Sequence, residues 1–348
     1  MGAEFGFELQ LCQWAEAHWP PAGRRERPVL VARQLGTKHR RFDTLVIECD
    51  PDGLRQRARF GSERLDSDLL HVVRHAPAEW QWYREALPHP GYPWQYVREA
   101  VHRAADRALI DRRRVGNRIQ LRRRQRYPAW VERIVAIENK PDLDASAARD
   151  LVGQIERDVA LGLADEVWIA TAATGERVEP VLFEDVPVEA GILTVDRGER
   201  GPNAVSVRWQ PRSLTPGEAG TRILDRPEGG SHDASACRFE YAEGGWKADK
   251  RREIAERAYE RGWRSYVQTM RPDCRHFELE PTAPVARPYC RAKACTQTPS
   301  QCGSSCPDFE PEPPVWRQQG WPIEGGPGTA IKELLADQRD RRRPEPEE

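Results

Sequence analysis

The chain has 348 residues, 39% of them apolar, which is enough for two or three domains with buried cores. It has no apolar run of about 18 residues and no signal-peptide pattern at its start, so we expect a cytoplasmic protein without membrane contact. Lys and Arg (54) nearly balance Asp and Glu (55), yet eleven Arg lie between Arg98 and Arg126 against three acidic residues. This local excess of positive charge favours contact with nucleic acid.

The apolar pattern of residues 4–49 and 130–195 predicts an α/β core. A helix, two strands, a third strand, a helix and a fourth strand follow one another, an order typical of a mixed sheet covered by helices. Pro20-Pro21 ends the first helix, and Asp144 is a suitable N-cap for the second. The predicted ranges are 4–19 for the first helix, 28–35, 42–49 and 130–140 for the first three strands, about 144–161 for the second helix, and 166–173 and 181–195 for later strand material.

About eighty residues between Cys49 and Trp130 differ in character from this core. They predict two short helices, a longer helix opened by Pro93, and a hairpin around Gly116-Asn117. Three helices and a hairpin are the order of a winged helix-turn-helix module, in which the third helix and the wing meet DNA. The alternative is a helical insertion with a solvated charged face. The predicted nucleic-acid contacts are Arg112, Arg113, Arg114, Arg118, Arg122, Arg123 and Arg124.

The stretch IVAIENKPDL, residues 134–143, begins as a buried strand and ends in charged residues. Residues i and i+2 of a strand project to the same face, so Glu138 and Lys140 are expected side by side. The simplest interpretation is a strand that leaves the core with a solvated salt bridge of almost no energetic value. However, the chain contains only six Lys, which makes a lysine directly after a buried strand a candidate for chemistry.

Two further carboxylates extend this pattern: Asp43 begins the strand DTLVIEC, and Glu8 lies in the first helix. A strand Asp, a Glu-x-Lys on the next core strand and a helix-borne Glu resemble the PD-(D/E)XK nuclease superfamily over residues 1–50 and 130–172. Phrases such as FELQLCQWAE and FDTLVIECDP also resemble an uncharacterised haloarchaeal family of that superfamily.

The resemblance implies hydrolysis of DNA phosphodiesters with Mg²⁺ or Mn²⁺. Asp43 and Glu138 would hold the metal through hard carboxylate oxygens. Lys140 would position the attacking water or stabilise the charge of the transition state. Glu8 is implied as a further ligand, and Gln154, on the helix after the motif, as a contributor to the site.

Five of the eight cysteines lie between Cys274 and Cys306. In an intracellular protein such a cluster indicates a metal before disulfides. The spacing lacks the C-x2-C of a zinc knuckle and leaves both Zn²⁺ and a [4Fe–4S] cluster open. Some RecB-like nucleases tie the ends of their nuclease domain with an iron–sulfur cluster, using one Cys before the core, a role that Cys12 would fill. The predicted ligands are Cys274, Cys290, Cys302 and Cys306, with Cys295 as a possible substitute.

The predicted architecture is therefore a discontinuous nuclease-like core with a winged-helix insertion and a C-terminal Cys-rich metal-binding segment. The alternative function is a non-catalytic DNA-binding regulator that keeps the nuclease-like domain as a scaffold. The sequence does not indicate an oligomeric state. The predicted boundaries are 1–50 and 130–197 for the core, 60–127 for the insertion, 198–235 for a linker-rich region, 236–320 for a helix with the Cys segment, and 336–348 for a charged tail.

Overall fold

The structure is a computed structural model of the chain. Asp144, Cys237 and nearly all of the predicted charged tail lie outside the described residues. The described residues are 2–21, 23, 27–37, 40–89, 91–143, 145–173, 184–199, 201–225, 238–282, 285–311, 331–333 and 337.

A six-stranded mixed sheet forms the centre of the fold, as the α/β pattern predicts. Its strands are β1 Val29–Gly36, β2 Arg41–Cys49, β6 Val131–Asn139, β7 Glu166–Ala172, β8 Gly191–Val195 and β9 Val205–Trp209. The strand order is β1-β2-β6-β7-β8-β9, with parallel pairing from β6 to β7 and from β7 to β8 and antiparallel pairing elsewhere. The central strands are buried on both faces because helices cover each side of the sheet.

Two helical layers cover this sheet and divide its core into two clusters. Helix α1, Gly2–His18, packs with Val46, Val135 and Ile137 on one face. Helices α6, Ala145–Leu161, and α7, Gly244–Arg261, pack with the alternate residues of the same strands on the other face. Strand alternation therefore decides which helical layer each polar residue of β2 and β6 can reach.

The insertion forms a separate module with its own apolar core. The predicted hairpin is confirmed, and Gly116 takes a left-handed φ of 57° in its turn. A helix that the sequence pattern did not indicate, α2, starts at once after β2 with Asp50 as its N-cap. The module comprises α2 Pro51–Ala58, α3 Ser67–His75, β3 Gln81–Trp82, α4 Tyr83–Ala86, α5 Trp94–Asp106, β4 Ile110–Val115 and β5 Arg118–Arg123.

The C-terminal part adds two small sheets. One of them is a two-stranded sheet that begins inside the region predicted as linker-rich. The other is three-stranded, carries Cys290 and Cys295, and packs on α1. None of the helices in the described ranges is both long and apolar enough to span a membrane. The remaining strands are β10 Gly220–Asp225, β11 Arg238–Ala242, β12 Phe277–Thr282, β13 Val285–Cys290 and β14 Cys295–Thr296, and short 3-10 turns cover Pro202–Ala204 and Trp263–Gln268.

A buried ion pair connects the insertion to the core. The Arg57 guanidinium of α2 donates to both carboxylate oxygens of Glu256 on α7, at 2.6 and 2.5 Å. Both side chains are fully buried, and the same carboxylate accepts from the Leu65 amide and the Tyr127 hydroxyl. Each polar atom of the pair is therefore compensated, as burial of charge requires.

We predict that Glu256→Ala lowers the free energy of unfolding by about 3–5 kcal/mol, because it leaves the Arg57 charge buried without a partner. Chemical denaturation measures this loss. The control is Glu253→Ala, one turn earlier on α7, which removes a half-exposed pair with Lys250 and should cost about 0.5 kcal/mol or less. Equal losses for both variants would contradict a structural role of the buried pair.

Candidate functional site

Three polar residues form one row across neighbouring strands of the sheet. Arg33 pairs with Thr44 and Leu35 with Phe42, so Gln34 of β1 stands opposite Asp43 of β2. Thr44 pairs with Ile137, so Asp43 in turn stands opposite Glu138 of β6. Residues directly opposite in antiparallel strands have Cβ atoms about 5 Å apart. The register thus brings together the two carboxylates that the sequence predicts as metal ligands.

Asp43 is anchored at the centre of this row. Its Oδ2 accepts a hydrogen bond from the backbone amide of Asn139 at 3.0 Å, and its Oδ1 accepts from Gln34 Nε2 at 3.2 Å. Gln34 has a φ of 54°, which is rare for a residue other than glycine and marks local backbone strain. This strained residue of β1 is the one whose side chain contacts the carboxylates of Asp43 and Glu8.

Glu138 is joined to a carboxylate that the sequence pattern did not single out. Arg40 Nη2 donates to Glu138 Oε2 at 2.7 Å, and Arg40 Nε donates to Asp158 Oδ1 of α6 at 2.6 Å. Glu138 and Asp158 are both buried. The guanidinium therefore bridges two carboxylates as a cation in the low-dielectric interior.

Glu8 belongs to the other helical layer and reaches the row indirectly. Its Oε2 accepts from Arg33 Nη2 at 2.6 Å, and its Oε1 accepts from Gln34 Nε2 at 2.9 Å. The Gln34 amide thus connects Glu8 to Asp43. Glu8 is satisfied by Arg33 and Gln34, and Asp158 is the additional carboxylate bridged to Glu138.

The site concentrates negative charge. Among the described residues, Arg33 and Arg40 form ion pairs with Glu8, Glu138 and Asp158, and the charge of Arg157 also acts on Asp158. With Asp43 the site has four carboxylates, which outnumber these three guanidinium groups by one. Burial, followed by the charge of Asp43, raises the pKa of Glu138 to about 7. Burial also raises the pKa of Glu8 and of Asp158. A bound cation would compensate the negative charge that remains on these carboxylates.

Several polar groups around the row have unused bonding capacity. Asn139 donates from Nδ2 to Thr44 Oγ1 at 3.0 Å, but its Oδ1 is buried without a hydrogen-bond partner among the described residues. The same holds for Oε1 of Gln154, which lies one turn before Asp158 and so on the same side of α6. The Lys140 ammonium forms no hydrogen bond or ion pair within the described ranges. Gln154 and Lys140 therefore remain available to a ligand.

Sequence reasoning missed Gln34, Arg40 and Asp158. Gln34 and Arg40 lie beside the predicted strand ends but match no motif. Asp158 follows Gln154 by four residues on α6, the helix that carries this predicted site residue. A search for a second carboxylate at helical spacing from Gln154 would have found it.

The arginines predicted as nucleic-acid contacts occupy different environments on the hairpin. Arg122 and Arg124 both donate to Asp111, at 2.9 and 2.8 Å, on one face of the hairpin. Arg113 and Arg122 stack over the ring of Trp80, at 4.4 and 4.9 Å from its centroid. The remaining members are exposed: Arg112 beside His102, Arg114 bonded to the Gly116 carbonyl, Arg118 over Trp82, and Arg123 on the opposite face.

The cysteines predicted as metal ligands meet around a small cavity of about 20 Å³. Cys302 accepts a hydrogen bond from the backbone amide of Arg271, and Lys293 Nζ lies 3.3 Å from Cys306 Sγ. Cys295 instead receives the Gln297 amide at 3.2 Å. Residues that line the cavity include Cys274, Cys290, Cys302 and Cys306.

Neither group of residues forms a finished coordination sphere. Within the described part of the chain, no three His, Cys, Asp or Glu side chains converge at metal-binding distance. Arg40 lies between the carboxylates of Glu138 and Asp158, and the Gln34 amide lies between those of Asp43 and Glu8. Cys12 does not line the cysteine cavity: its thiol lies 3.5 Å from Thr44 Oγ1, and burial raises its pKa to about 12. The suggestion that Cys12 completes an iron–sulfur site therefore stays a prediction, separate from the four cysteines that line the cavity.

Residues 30–311 match the model of a family described as a family of unknown function (DUF5787). The chain belongs to this family. The matched range contains Asp43, Glu138 and all five clustered cysteines, and it begins after Glu8. No curated protein and no solved structure matches the chain.

The raised pKa of Glu138 predicts a pH-dependent stability difference. A proton on Glu138 stabilises the fold below pH 4.5, and this contribution is lost as the pH rises through about 7. Glu138→Gln is neutral at every pH. Its free energy of unfolding relative to wild type should therefore rise by about 1–3 kcal/mol between pH 5 and pH 8.

Chemical denaturation in EDTA at the two pH values measures this difference. Glu132→Gln, which removes a half-buried carboxylate from the same strand, is the control. A Glu138→Gln difference that is constant with pH, or that Glu132→Gln reproduces, would contradict the raised pKa.

Proposed function

We propose that this protein is a Mg²⁺-dependent nuclease that hydrolyses phosphodiester bonds of DNA. The observation that carries the proposal is the row of Asp43 and Glu138 across β2 and β6, next to Asp158 and followed two residues after Glu138 by Lys140. Phosphodiester hydrolysis adds negative charge to the phosphoryl oxygens, so a nuclease needs fixed positive charge where the substrate binds. A carboxylate row with a lysine two residues beyond it supplies both a metal-binding group and a cation.

The residues present suit a hard divalent cation. Their donors are carboxylate and amide oxygens, which Mg²⁺ and Mn²⁺ prefer. The site carries excess negative charge, and Asn139 Oδ1 is buried without a described partner. Asp43 and Glu138 would hold Mg²⁺, which when bound lowers the pKa of a coordinated water and offsets the charge of the phosphate.

The remaining steps fall to the residues of the chain. Water attacks phosphorus and forms a new P–O bond, while the bond from phosphorus to the leaving sugar oxygen breaks. The attacking water loses one proton to solvent, and the leaving sugar oxygen takes one proton from solvent. The Lys140 ammonium would stabilise the charge that develops on the phosphoryl oxygens, or orient the water. Arg40 would release Glu138 and keep its pair with Asp158, so that Glu138 can act as a ligand.

The Arg40 bridge also favours the alternative function, a DNA-binding regulator with a closed nuclease-like scaffold. If Arg40 permanently satisfies Glu138 and Asp158, no divalent cation is needed. The two functions differ in one assay. Incubation with single-stranded, duplex and branched DNA in Mg²⁺, Mn²⁺ or EDTA should give metal-dependent cutting for the nuclease, and binding without cutting for the regulator.

We predict that Lys140→Ala lowers the cleavage rate by about 10²–10³-fold, because the ammonium acts mainly on the charge of the transition state. DNA affinity in EDTA and the free energy of unfolding should stay close to wild type, since the Lys140 ammonium has no partner among the described residues and the backbone bond of Lys140 to Ala170 is kept. Single-turnover cleavage and fluorescence anisotropy measure the two effects. Lys250→Ala, which removes a lysine that pairs with Glu253 on α7, is the matched control. Cleavage by Lys140→Ala at the wild-type rate would exclude Lys140 from the reaction.

We further propose that Cys274, Cys290, Cys302 and Cys306 bind a structural Zn²⁺. The cavity between them holds about one water-sized sphere, which suits a single ion better than a four-iron cluster. Burial raises the pKa of the Cys302 thiol, although the hydrogen bond from the Arg271 amide opposes this shift. The Lys293 ammonium would stabilise a thiolate at Cys306. Because Cys302 belongs to the same apolar cluster as α1, such a metal would fix the C-terminal segment against the helix that carries Glu8.

Metal analysis should find one zinc per chain, and Cys306→Ser should lose it and become protease-sensitive after about residue 270, because metal binding supplies much of the folding energy of such segments. Cys295→Ser, which removes a thiol that does not line the cavity, should keep the zinc. About four irons per chain with absorbance near 400 nm would replace zinc by an iron–sulfur cluster. Absence of both metals, with every thiol titratable in the native protein, would contradict the site.

A further inference from the structure

A basic cleft lies between the insertion and the core. It opens where the start of α2, the end of α3, the linker between β5 and β6, and α7 meet, and it encloses about 610 Å³. Four arginines from separate parts of the sequence line it: Arg74, Arg123, Arg126 and Arg252. A charge run on one helix is usually a solvated surface, but here the guanidinium groups converge on a concave site of ligand-binding size.

Positive charge in the cleft exceeds its local compensation. Arg74 and Arg252 share one carboxylate oxygen of Asp249, at 2.8 and 2.7 Å. Burial and the neighbouring Arg74 charge lower the pKa of Arg252. Arg123 and Arg126 are exposed, and their side chains have no partner among the described residues. Four cations thus face Asp249 and Asp50, and Asp50 accepts the Gly53 amide at the start of α2.

The chemistry of the cleft favours phosphate. Arginine presents a planar fork of donors that matches phosphate oxygens, and four such forks suit successive phosphates of a nucleic-acid strand. Among the described residues that line the cleft, Tyr127 is the one aromatic, and its hydroxyl is bonded to Glu256. Proteins that bind single strands stack bases on aromatic rings, so this lining favours the backbone of a duplex.

The cleft is remote from the carboxylate row. Asp43 is near the start of β2, and Asp50 follows its end. Seven residues of extended strand span ~23 Å, which equals about seven base-pair steps of a duplex. The hairpin turns Arg123 to this side, whereas Arg122 and Arg124 pair with Asp111 on the other face.

We propose that this cleft binds the sugar-phosphate backbone of duplex DNA at a distance from the scissile phosphate. The choice of DNA as the ligand rests on the proposed nuclease function, but binding in the cleft requires neither metal nor cleavage. The cleft would hold the duplex while the carboxylate row acts at the other end of the sheet. A duplex that engages both places must exceed about seven base pairs.

The test is anisotropy of a labelled 20-base-pair duplex in EDTA at several salt concentrations. Arg123→Gln/Arg126→Gln should weaken binding about tenfold and reduce the slope of log affinity against log salt by about two, one unit for each lost phosphate contact. The control, Arg212→Gln/Arg238→Gln, removes the same charge from exposed residues outside the cleft and should keep the wild-type slope. An unchanged slope in the cleft variant, or an equal decrease in the control, overturns the proposal.

Three further measurements distinguish DNA binding in the cleft from binding of acidic protein segments and from the proposed nuclease activity. Poly-L-glutamate that displaces the duplex at equal charge concentration would assign the cleft to acidic protein segments and overturn the proposal. Glu138→Gln should keep the wild-type affinity and salt slope, and a lost slope would overturn the separation of cleft and row. Cleft-dependent binding without cutting in Mg²⁺ or Mn²⁺ would support the cleft and reject the nuclease. Cutting with a wild-type slope in the cleft variant would do the reverse.

Discussion

The antiparallel register between β2 and β6 is the constraint on which the candidate site depends. It sets Asp43 opposite Glu138, in a sheet whose strands are buried on both faces. A shift of one residue would turn both apolar sets of β2 toward the wrong helical layer, so the two core clusters hold the register in place. The same packing that stabilises the sheet therefore forces two carboxylates into one desolvated place.

The surrounding structure adapts to that charge. Arg40 bridges Glu138 to Asp158 on one side of the sheet, and Gln34 connects Asp43 to Glu8 on the other. The carboxylates still outnumber the nearby guanidinium groups, and the raised pKa of Glu138 is the expected response. A cation bound at the row would relieve the repulsion between the carboxylates. Arg40 is a cation that the chain itself already places next to Glu138 and Asp158. The opposite end of β2 and β6, where the insertion is attached, instead concentrates arginine.

The sequence predicted those parts of the fold that depend on local pattern. The first helix, the strands carrying Asp43 and Glu138, the hairpin at Gly116 and the helix after Glu138 all follow from apolar periodicity and turn chemistry. The convergence of Asp43 with Glu138 depends on the pairing of β2 with β6. Local patterns do not predict that pairing; the resemblance to the PD-(D/E)XK superfamily implied it. The roles of Arg40, Asp158 and Gln34 depend on side-chain geometry between elements distant in sequence, which no local pattern encodes. Likewise, four arginines around residues 74, 123, 126 and 252 could be recognised as one cleft only in three dimensions.

We propose that Asp43 and Glu138 share one divalent cation. A crystal structure of the protein with Mn²⁺, collected at a wavelength where manganese scatters anomalously, would locate such an ion. We expect one anomalous peak within coordination distance of both carboxylates, with the Arg40 guanidinium withdrawn from Glu138 and still paired with Asp158. A map without a peak at the row, with Arg40 still bridging Glu138 and Asp158 at millimolar Mn²⁺, would contradict it.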